Sequence, residues 1–390
     1  MIEAVHRRAP KLRINVLPLV GQGRAFDTAV EQGWLHRIGP SAALPSGGFS
    51  NQSLRGLLAD LSAGLPLLSW QQWLLVRRLG RGDTTVIAVG DLLPLLMAWS
   101  SGSNFGFIGT PKSDYTWRSG PGQAFSDRYH RLKGSEWDPW EWRLMQSARC
   151  RLVAMRDRLT ARGLRRKGVK ALAPGNPMMD GLEISPVPHA LQRCRRVLLL
   201  CGSRMPEAHR NFLRLTRAVL ALPAPVPVAL LVAVGNQPDA ARLNTTLADL
   251  GFRQSLPPSE ALGAESCWVR GAHLVLIGRG CFASWASWAE AGVATAGTAT
   301  EQLVGLGIPA LSLPGPGPQF KRSFAQRQSR LLGGAVLACP SEAVLADQLN
   351  QLLTDAASRT KLGAIGTRRM GPSGGSDRLA ELILKPLHGY

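Results

Sequence analysis

The sequence contains no run of apolar residues that approaches the length of a membrane-spanning helix, about eighteen residues. Its first residues, MIEAVHRRAPKLRINVLPL, lack the long apolar core of a signal peptide. We therefore expect that the chain neither crosses a membrane nor carries an export signal.

Cysteine is scarce, with six residues in 390. These cysteines form no Cys-x-x-Cys pair and no Cys/His cluster with the spacing of a metal site. An Asp-x-Asp metal motif is absent as well. The cysteine pattern favours a reduced compartment, and we predict a protein with no bound metal and no cofactor.

Acidic residues are few, with 26 Asp and Glu against 46 Lys and Arg, which gives a formal net charge of +20. Such an excess attracts polyanions: nucleic acid, an anionic membrane leaflet or phosphorylated substrates. No aromatic-rich RNA-binding signature accompanies the charge, which argues against a nucleic-acid partner.

The length suits two domains, and the second half alternates short apolar strands with helical patterns. This alternation predicts a parallel sheet covered by helices, with ligands at the carboxyl ends of the strands. The first half alternates less cleanly. We predict two doubly wound α/β domains, at residues 1–182 and 196–390, joined by a hinge at 183–195 that follows from the Pro/Gly-rich stretch at 174–194.

The most informative segment runs from Val293 to Leu332 and contains the turn Gly297-Thr298-Ala299-Thr300 between an apolar strand and a helix. Small residues at a helix start let a diphosphate approach unpaired backbone N–H groups, and the helix dipole favours negative charge there. Glu301, in the first helical turn, is placed to accept hydrogen bonds from ribose hydroxyls. An ordinary strand-turn-helix of a doubly wound sheet would need the same small residues for packing alone.

A second turn, Gly202-Ser203-Arg204, follows the first strand of the second domain. Its glycine allows close backbone approach, and Arg204 can pair with a phosphate in a bidentate manner, although a plain turn with a solvated arginine has the same pattern. Beyond the stiff Gly/Pro loop from Gly315 to Phe320, Gln326 and Gln328 lie on a predicted helix. Uncharged amides suit sugar hydroxyls, but ordinary solvated residues of a helix would show the same pattern.

In the first domain, Asp91 follows the buried strand segment Val86–Val89, where a general base can meet an acceptor hydroxyl. The same residue could instead cap the helix that follows. The polar cluster Lys112, Ser113 and Asp114 after a later strand has the same ambiguity.

The first domain also holds eight of the eleven tryptophans, and residues 149–170 hold nine basic residues against one acidic residue. Aromatic rings beside Lys and Arg are typical of a surface that rests on anionic headgroups. Core tryptophans beside a solvated basic helix would produce the same composition. The tryptophans considered for this surface include Trp70, Trp73, Trp137, Trp140 and Trp142.

With these residues in view, nearly the whole chain resembles the lipid-A-disaccharide synthase-related branch of the two-domain GT-B glycosyltransferases. The resemblance rests on AGTATEQLVGLGIPALSLPGPGPQF, FAQRQSRLLG, LLLCGSRMPEAHRNF, APGNPMMDGL and GPSGGSDRLAELI.

This resemblance implies a UDP-sugar donor in the second domain and a lipid-linked or amphipathic acceptor in the first. It implies direct displacement at the anomeric carbon, at the cytoplasmic face of a membrane, with Asp91 as the catalytic residue. The implied donor-binding residues are Gly202, Ser203, Arg204, Gly297, Thr298, Ala299, Thr300, Glu301, Gln302, Gln326 and Gln328.

Two alternatives stay open at this point. A UDP-sugar 2-epimerase shares the fold and the donor pocket, but it needs further acid/base groups, for which His209 or His273 would have to serve. A catalytically inactive protein that binds a nucleotide sugar or a membrane surface is the other alternative.

The start of the sequence departs from the family pattern. Related proteins open with a strand and a glycine-rich loop of the His-Gly-Glu-Asp type, whereas MIEAVHRRAP resembles the end of the helix that follows. We expect the chain as written to lack that strand and loop, and to be poorly stable or inactive for that reason.

Overall fold

The structure is a computed structural model that describes residues 1–42, 54–81, 84–120, 122, 124–182, 184–222, 227–315 and 320–385. Its contacts divide the chain into two compact units. Unit 1 comprises Met1–Asp114, Leu132–Pro177 and Gly374–Tyr390, and unit 2 comprises Tyr115–Arg131 and Met178–Ser373. Each unit is therefore built from segments that are separated along the chain, unlike the continuous ranges that the sequence predicts.

Unit 1 contains a four-stranded parallel sheet of order β3-β4-β5-β6 and a two-stranded parallel sheet of β1 and β2. The strands are β1 (Ile14–Val16), β2 (Leu35–Arg37), β3 (Val86–Gly90), β4 (Phe105–Gly109), β5 (Cys150–Met155) and β6 (Ala171–Leu172). The helices up to β6 are α1 (Ile2–Arg8), α2 (Asp27–Glu31), α3 (Leu54–Ser62), α4 (Leu65–Leu79), α5 (Leu92–Ser100), α6 (Tyr115–Arg118), α7 (Phe125–Lys133), α8 (Pro139–Met145) and α9 (Arg158–Arg166). Of these, α6 belongs to unit 2, and α7 lies across the boundary between the two units.

Unit 2 contains one eight-stranded sheet of order β14-β13-β12-β7-β8-β11-β10-β9. Its strands are β7 (Arg195–Leu200), β8 (Val228–Val234), β9 (Arg253–Ser255), β10 (Ala264–Arg270), β11 (His273–Arg279), β12 (Ala291–Ala294), β13 (Ala310–Ser312) and β14 (Val336–Ala338). The remaining helices are α10 (Glu207–Leu220), α11 (Ala240–Asp249), α12 (Phe282–Trp288), α13 (Thr298–Gly305), α14 (Arg322–Leu331), α15 (Glu342–Thr354), α16 (Ala356–Met370) and α17 (Gly375–Leu384). Of these, α17 belongs to unit 1 and the others belong to unit 2.

The central strands of the unit 2 sheet carry apolar side chains on both faces, so a hydrophobic core lies on each face of the sheet. Val197 and Leu199 of β7 belong to one buried cluster, and Leu198 and Leu200 belong to the other. Successive side chains of a strand point to opposite faces, so a continuous apolar run is buried on both sides. The predicted parallel alternation is confirmed for most of this sheet.

One edge of the sheet departs from the prediction. The stretch before β11, which the sequence pattern leaves irregular, forms β10, and β10 pairs with β11 and β9 in antiparallel register. The sequence pattern also predicts a helix around residues 282–291, and this helix is shorter than predicted, because α12 ends at Trp288 and Ala291 begins β12. The sheet is therefore mixed at one edge and parallel elsewhere.

The core of unit 1 is built in the same way around β4. Phe107 belongs to a cluster on one face of the sheet, and Ile108 belongs to a cluster on the other face that also contains Val5 of α1 and Leu379 of α17. The N-terminal nitrogen of Met1 donates to Ser376 Oγ at 3.1 Å. The C-terminal helix α17 therefore completes the core of unit 1.

The described helices include none that is both long and apolar enough to span a membrane. All six cysteines are free thiols. Burial raises the pKa of Cys150 and of Cys201 to about 12, which keeps these thiols protonated and unreactive.

Candidate functional site

The eight-stranded sheet has a topological switch point between β7 and β12. From β7 the chain moves to β8 and on to β9 at the edge of the sheet, comes back through β10 and β11, and then crosses to the other side of β7 with β12. The carboxyl ends of the two strands are level, since Leu200 pairs with Ala294. Ligands of open α/β sheets bind in the crevice outside such a pair of strand ends.

Two turns predicted to hold the diphosphate flank this crevice. The β7–α10 turn (Cys201–Pro206) contains Gly202 with φ +88°, a conformation that favours glycine. A Cβ on Gly202 would lie 3.3 Å from the carbonyl oxygen of Thr295, in the β12–α13 turn (Thr295–Gly297). The two turns are therefore neighbours in space, as predicted from their positions after strands of one sheet.

The second turn leads directly into the amino end of α13. Gly297 is the N-cap residue, and within the described part of the chain no side chain caps the helix. The backbone N–H groups of the first helical turn have no partner inside the helix, and the dipole makes this end partly positive. Thr298 is exposed, whereas Thr300 is buried and its hydroxyl donates to the Ala296 carbonyl at 2.7 Å. These threonines can therefore offer backbone N–H groups, with a free hydroxyl only at Thr298.

The first turn supplies positive charge. Ser203 is exposed and Arg204 is half-buried. Burial lowers the pKa of the Arg204 guanidinium, an effect opposed by the nearby Glu207 carboxylate. Arginine remains charged under such shifts, so the crevice keeps a cation beside its dipoles. Glu301 is half-buried in the first turn of α13.

Sequence reasoning missed two residues of α10 that support the strand ends. Asn211 is buried and donates to the Cys201 carbonyl at 3.3 Å. Arg214 donates to the Pro314 carbonyl at 3.3 Å and forms an ion pair with Glu342. The two residues are three positions apart, which places them on one face of the helix. This spacing is the only signal in the sequence that could have identified them.

The three predicted glutamines have different surroundings. Gln302 donates to the Met178 carbonyl at 2.7 Å and so holds the chain segment around Met178 against α13. Gln328 is buried and donates to the Ala296 and Gly297 carbonyls at 3.3 and 3.1 Å. Gln326 instead lines a separate cavity of about 510 Å³ with Arg330 and residues of β14 and α15. Of the predicted Gly/Pro loop, residues 316–319 lie outside the described residues.

Asp91 lies at the carboxyl end of β3 and is the N-cap residue of α5. In the part of unit 1 that the structure describes, its carboxylate makes no capping hydrogen bond. Asp91 lines a cavity of about 730 Å³, whose wall is largely apolar and includes Leu17, Leu19 and Met97. The structure therefore does not support a capping role for the Asp91 side chain.

The polar cluster after β4 is engaged within unit 1. Lys112 pairs with Glu141 at 2.6 Å, and Ser113 Oγ donates to Asp157 at 2.7 Å. Asp114 accepts from the Glu136 backbone N–H at 2.9 Å. Ser113, Asp114, Glu136, Glu141 and Asp157 are all buried, so these contacts brace the loops at this end of the sheet.

The two histidines considered for an epimerase lie in unlike places. His273 begins β11 and so lies at the amino end of a strand parallel to β8, opposite to the crevice. Its pKa is lowered by burial and by Arg270. His209 lies on α10, with Nε2 2.8 Å from Thr246 Oγ1.

The tryptophans of unit 1 divide between surface and core. Trp137 is fully buried, whereas Trp70 is 56% exposed and Trp140 is 51% exposed. Trp73 and Trp142 are half-buried beneath cations, with Arg77 5.0 Å and Lys167 4.9 Å from the respective ring centroids.

No protein-family model matches the sequence, and no curated protein matches it. Among solved structures, the chain is similar to the calicheamicin glycosyltransferase CalG4, with 15% identity and a TM-score of 0.58 over 99% of this chain and 94% of that one. It is similar to the UDP-GlcNAc 2-epimerase of Neisseria meningitidis bound to UDP-GlcNAc, with 14% identity and a TM-score of 0.54 over 98% and 96% of the chains. It is also similar to MnaA of S. aureus, solved with UDP, with 14% identity and a TM-score of 0.53 over 97% of each chain.

The chain therefore has the GT-B fold class, with two Rossmann-like α/β domains. Glycosyltransferases and UDP-sugar 2-epimerases both occur among these structural neighbours.

Proposed function

We propose that this protein is a glycosyltransferase that transfers a sugar from a UDP-sugar to a lipid-linked or amphipathic acceptor, in the manner of lipid-A-disaccharide synthase. The observation that carries the proposal is the meeting of the Gly202 and Gly297 turns at the switch point of the unit 2 sheet. The sequence predicts diphosphate binding at both turns, and open α/β sheets bind their ligands in such a crevice.

In this proposal the donor diphosphate lies between the two turns. Backbone N–H groups at Thr298, Ala299 and Thr300 stabilise its charge, and Arg204 supplies a charge-assisted hydrogen bond. The same donors stabilise the UDP that departs when the anomeric carbon is attacked. Glu301 accepts hydrogen bonds from the ribose hydroxyls, and no metal is assigned a role.

The donor site is tested by calorimetric titration of UDP. We expect wild-type protein to bind UDP and Arg204→Ala to weaken binding by about tenfold, since a charge-assisted bond is lost. Arg210→Ala is the matched control, because Arg210 is exposed on α10 close in sequence to the same turn. A wild-type protein without measurable UDP binding contradicts the proposal.

On the acceptor side, Asp91 is proposed as the general base that deprotonates the attacking hydroxyl. The apolar wall of its cavity supports an acceptor with a hydrocarbon portion. We expect Asp91→Asn to lower kcat by about a hundredfold or more without lowering the melting temperature, because its carboxylate caps nothing.

Asp157→Asn is the matched control for Asp91, since Asp157 is the N-cap of α9 and accepts from the Thr160 N–H at 2.8 Å. The substitution replaces the buried carboxylate oxygen that accepts from Ser113 Oγ at 2.7 Å with an amide nitrogen, which should lower stability by about 1 kcal/mol or more. Equal losses of stability in both variants would contradict the assignment of Asp91.

Association with an anionic membrane at the cytoplasmic face is part of the proposal. It is supported by apolar side chains that are exposed on α3 and α4, and by Arg77 and Arg78 farther along α4; the exposed apolar residues are Leu58, Leu61, Leu67 and Trp70. Such side chains can rest in the headgroup region while the arginines meet lipid phosphates.

Co-sedimentation with phosphatidylglycerol vesicles at low salt tests the membrane surface. Leu67→Ala should weaken binding by about tenfold, the value of one inserted leucine side chain. Leu256→Ala, at an exposed leucine of unit 2, should leave binding unchanged. A wild-type protein that stays in the supernatant contradicts this part of the proposal.

The epimerase alternative has less support from the site, because His273 lies at the opposite end of the sheet from the crevice. Incubation with a UDP-sugar and an acceptor extract separates the alternatives. A transferase releases UDP, an epimerase returns an intact UDP-sugar with a changed sugar, and a binding protein changes nothing.

A further inference from the structure

A buried glutamine of a neighbouring helix donates to the turn that enters α13. Gln328 of α14 is 3% exposed, and its Nε2 lies 3.1 Å from the Gly297 carbonyl oxygen and 3.3 Å from that of Ala296. Phe324, one helical turn earlier, also reaches Gly297, since its ring would lie 4.0 Å from a Cβ there. Helix α14 therefore packs directly on the β12–α13 turn.

The same two carbonyls also accept from the Thr300 hydroxyl at 2.7 Å and from the Glu301 N–H at 3.2 Å, and the Gln328 bonds add the contact from α14 that fixes the direction of these two successive peptide groups. In a trans peptide the C=O and the N–H point to opposite sides. Holding the Ala296 and Gly297 carbonyls toward Gln328 therefore turns the N–H groups of Gly297 and Thr298 away from α14. Successive N–H groups that point to one side form an anion-binding concavity.

The other half of the same amide gives an independent observation. Among the described residues, the buried Oε1 of Gln328 has no hydrogen-bond partner. An unpaired buried acceptor opposes folding, so it offsets what the two hydrogen bonds of Nε2 contribute to stability. An apolar side chain of the same length would avoid that penalty. The amide is therefore poorly explained by stability alone.

We propose that Gln328 is a positioning residue that aims the backbone N–H groups of Gly297 and Thr298 at the donor diphosphate, an inference that rests on the proposed function. In this role Gln328 does not need to touch the sugar. Gln326, two residues earlier, lies on the opposite face of α14 and lines a different cavity, so it has no part in the turn.

The test compares UDP with uridine, which lacks the diphosphate. The variants are Gln328→Met, which keeps the length and removes the donor, and Gln328→Glu, which places a carboxylate against two carbonyls. Gln326→Met is the matched control on the same helix. Calorimetry measures UDP binding directly and uridine binding by displacement, and thermal melts are recorded for each protein.

We expect Gln328→Met to raise the Kd for UDP by about tenfold, the loss of one well-aimed bond to a charged group, with uridine binding and the melting temperature little changed. Gln328→Glu should lose more UDP affinity, and Gln326→Met none. A merely structural role predicts a lower melting temperature and equal weakening of both ligands.

The outcomes separate the inference from the proposed function. If wild-type protein binds UDP and Gln328→Met keeps the wild-type ratio of UDP to uridine affinity, the positioning role is overturned and the donor site stands. If wild-type protein binds neither ligand, both are overturned. Should the Met variant fail to fold, the Glu variant provides the same ratio, and a wild-type ratio there overturns the positioning role.

Discussion

Helix α16 packs closely against α13, and we predict that replacing a glycine at this contact with alanine lowers stability. Replacing glycine with alanine inside an exposed helix ordinarily raises stability. Gly366 is buried within α16, and a Cβ there would lie 2.3 Å from the Val304 carbonyl oxygen and 2.4 Å from Val304 Cγ1. At Gly363, one turn earlier, a Cβ would lie 2.2 Å from the Gly307 carbonyl oxygen. Because these obstacles include backbone atoms, Gly366→Ala requires the two helices to separate.

The magnitude follows from two opposed terms. Alanine in a helix interior is favoured over glycine by about 1 kcal/mol, which stabilises the variant. Overpacking against a rigid neighbour costs about 1–3 kcal/mol or more, and here two contacts are far inside van der Waals distance. We expect a net loss of about 2 kcal/mol, which for a unit of this size lowers the melting temperature by about 4–8 °C.

The assay is a thermal and a urea melt of Gly366→Ala beside Ala364→Gly. Ala364 is exposed on the same helix, so glycine there should lose about 1 kcal/mol through propensity alone. Alanine is thus expected to stabilise position 364 and destabilise position 366. If Gly366→Ala raises the melting temperature, the close helix contact is wrong. Because α13 carries the proposed diphosphate site, the same variant should also bind UDP more weakly.

Three further predictions concern polar contacts whose contribution to stability depends on burial. Asp127→Asn leaves Arg330 unpaired at a site where the two side chains are 12% and 15% exposed, and should cost about 2 kcal/mol in urea denaturation. Asp377→Asn breaks a pair with Arg7 of similar length but 48% and 69% exposed, and should change stability by less than about 0.5 kcal/mol. Gln72→Leu removes two hydrogen bonds to proline carbonyls and should cost about 1–2 kcal/mol by the same measurement; an unchanged midpoint contradicts that role.

The strands of the sheet interior could be predicted because their residues satisfy one simple pattern. The strand β7 is apolar on both faces, and no other local structure explains a run such as VLLL. By contrast, β10 carries Glu265, Ser266 and Arg270 and is exposed at both ends, so its pattern is that of an irregular segment. Its pairing is decided by the neighbouring β11, which a local pattern does not contain.

Local sequence patterns also could not predict which segments leave one unit of the chain to become part of the other. Residues Tyr115–Arg131 belong to unit 2. They are held by the ion pair of Asp127 with Arg330 and by Arg369, which lies 4.0 Å from the Tyr115 ring centroid. Asp127 and Arg330 are 203 residues apart in sequence, and Tyr115 and Arg369 are still farther apart, so a local pattern does not relate the partners.

At the candidate site, the positions of the turns could be predicted from the sequence, but the hydrogen-bond partners of several side chains could not. The predicted turns lie together because parallel strands end at one edge of a sheet. Helical periodicity places Gln326 and Gln328 on opposite faces of α14, and only the packing of α14 decides which one meets the Gly297 turn. The hydroxyl of Thr300 and the amide of Gln302 likewise donate to backbone carbonyls, and the sequence does not show these partners.

The exchange of segments between the units has a practical consequence. A fragment that ends at residue 182 would lack α17, whose Leu379 and Ile383 fill the core beside α1. The complementary fragment would lack Asp127 and so leave Arg330 with a buried, unbalanced charge. Neither half should survive limited digestion or separate expression as a folded piece, whereas mixing the two halves should restore a protease-resistant species.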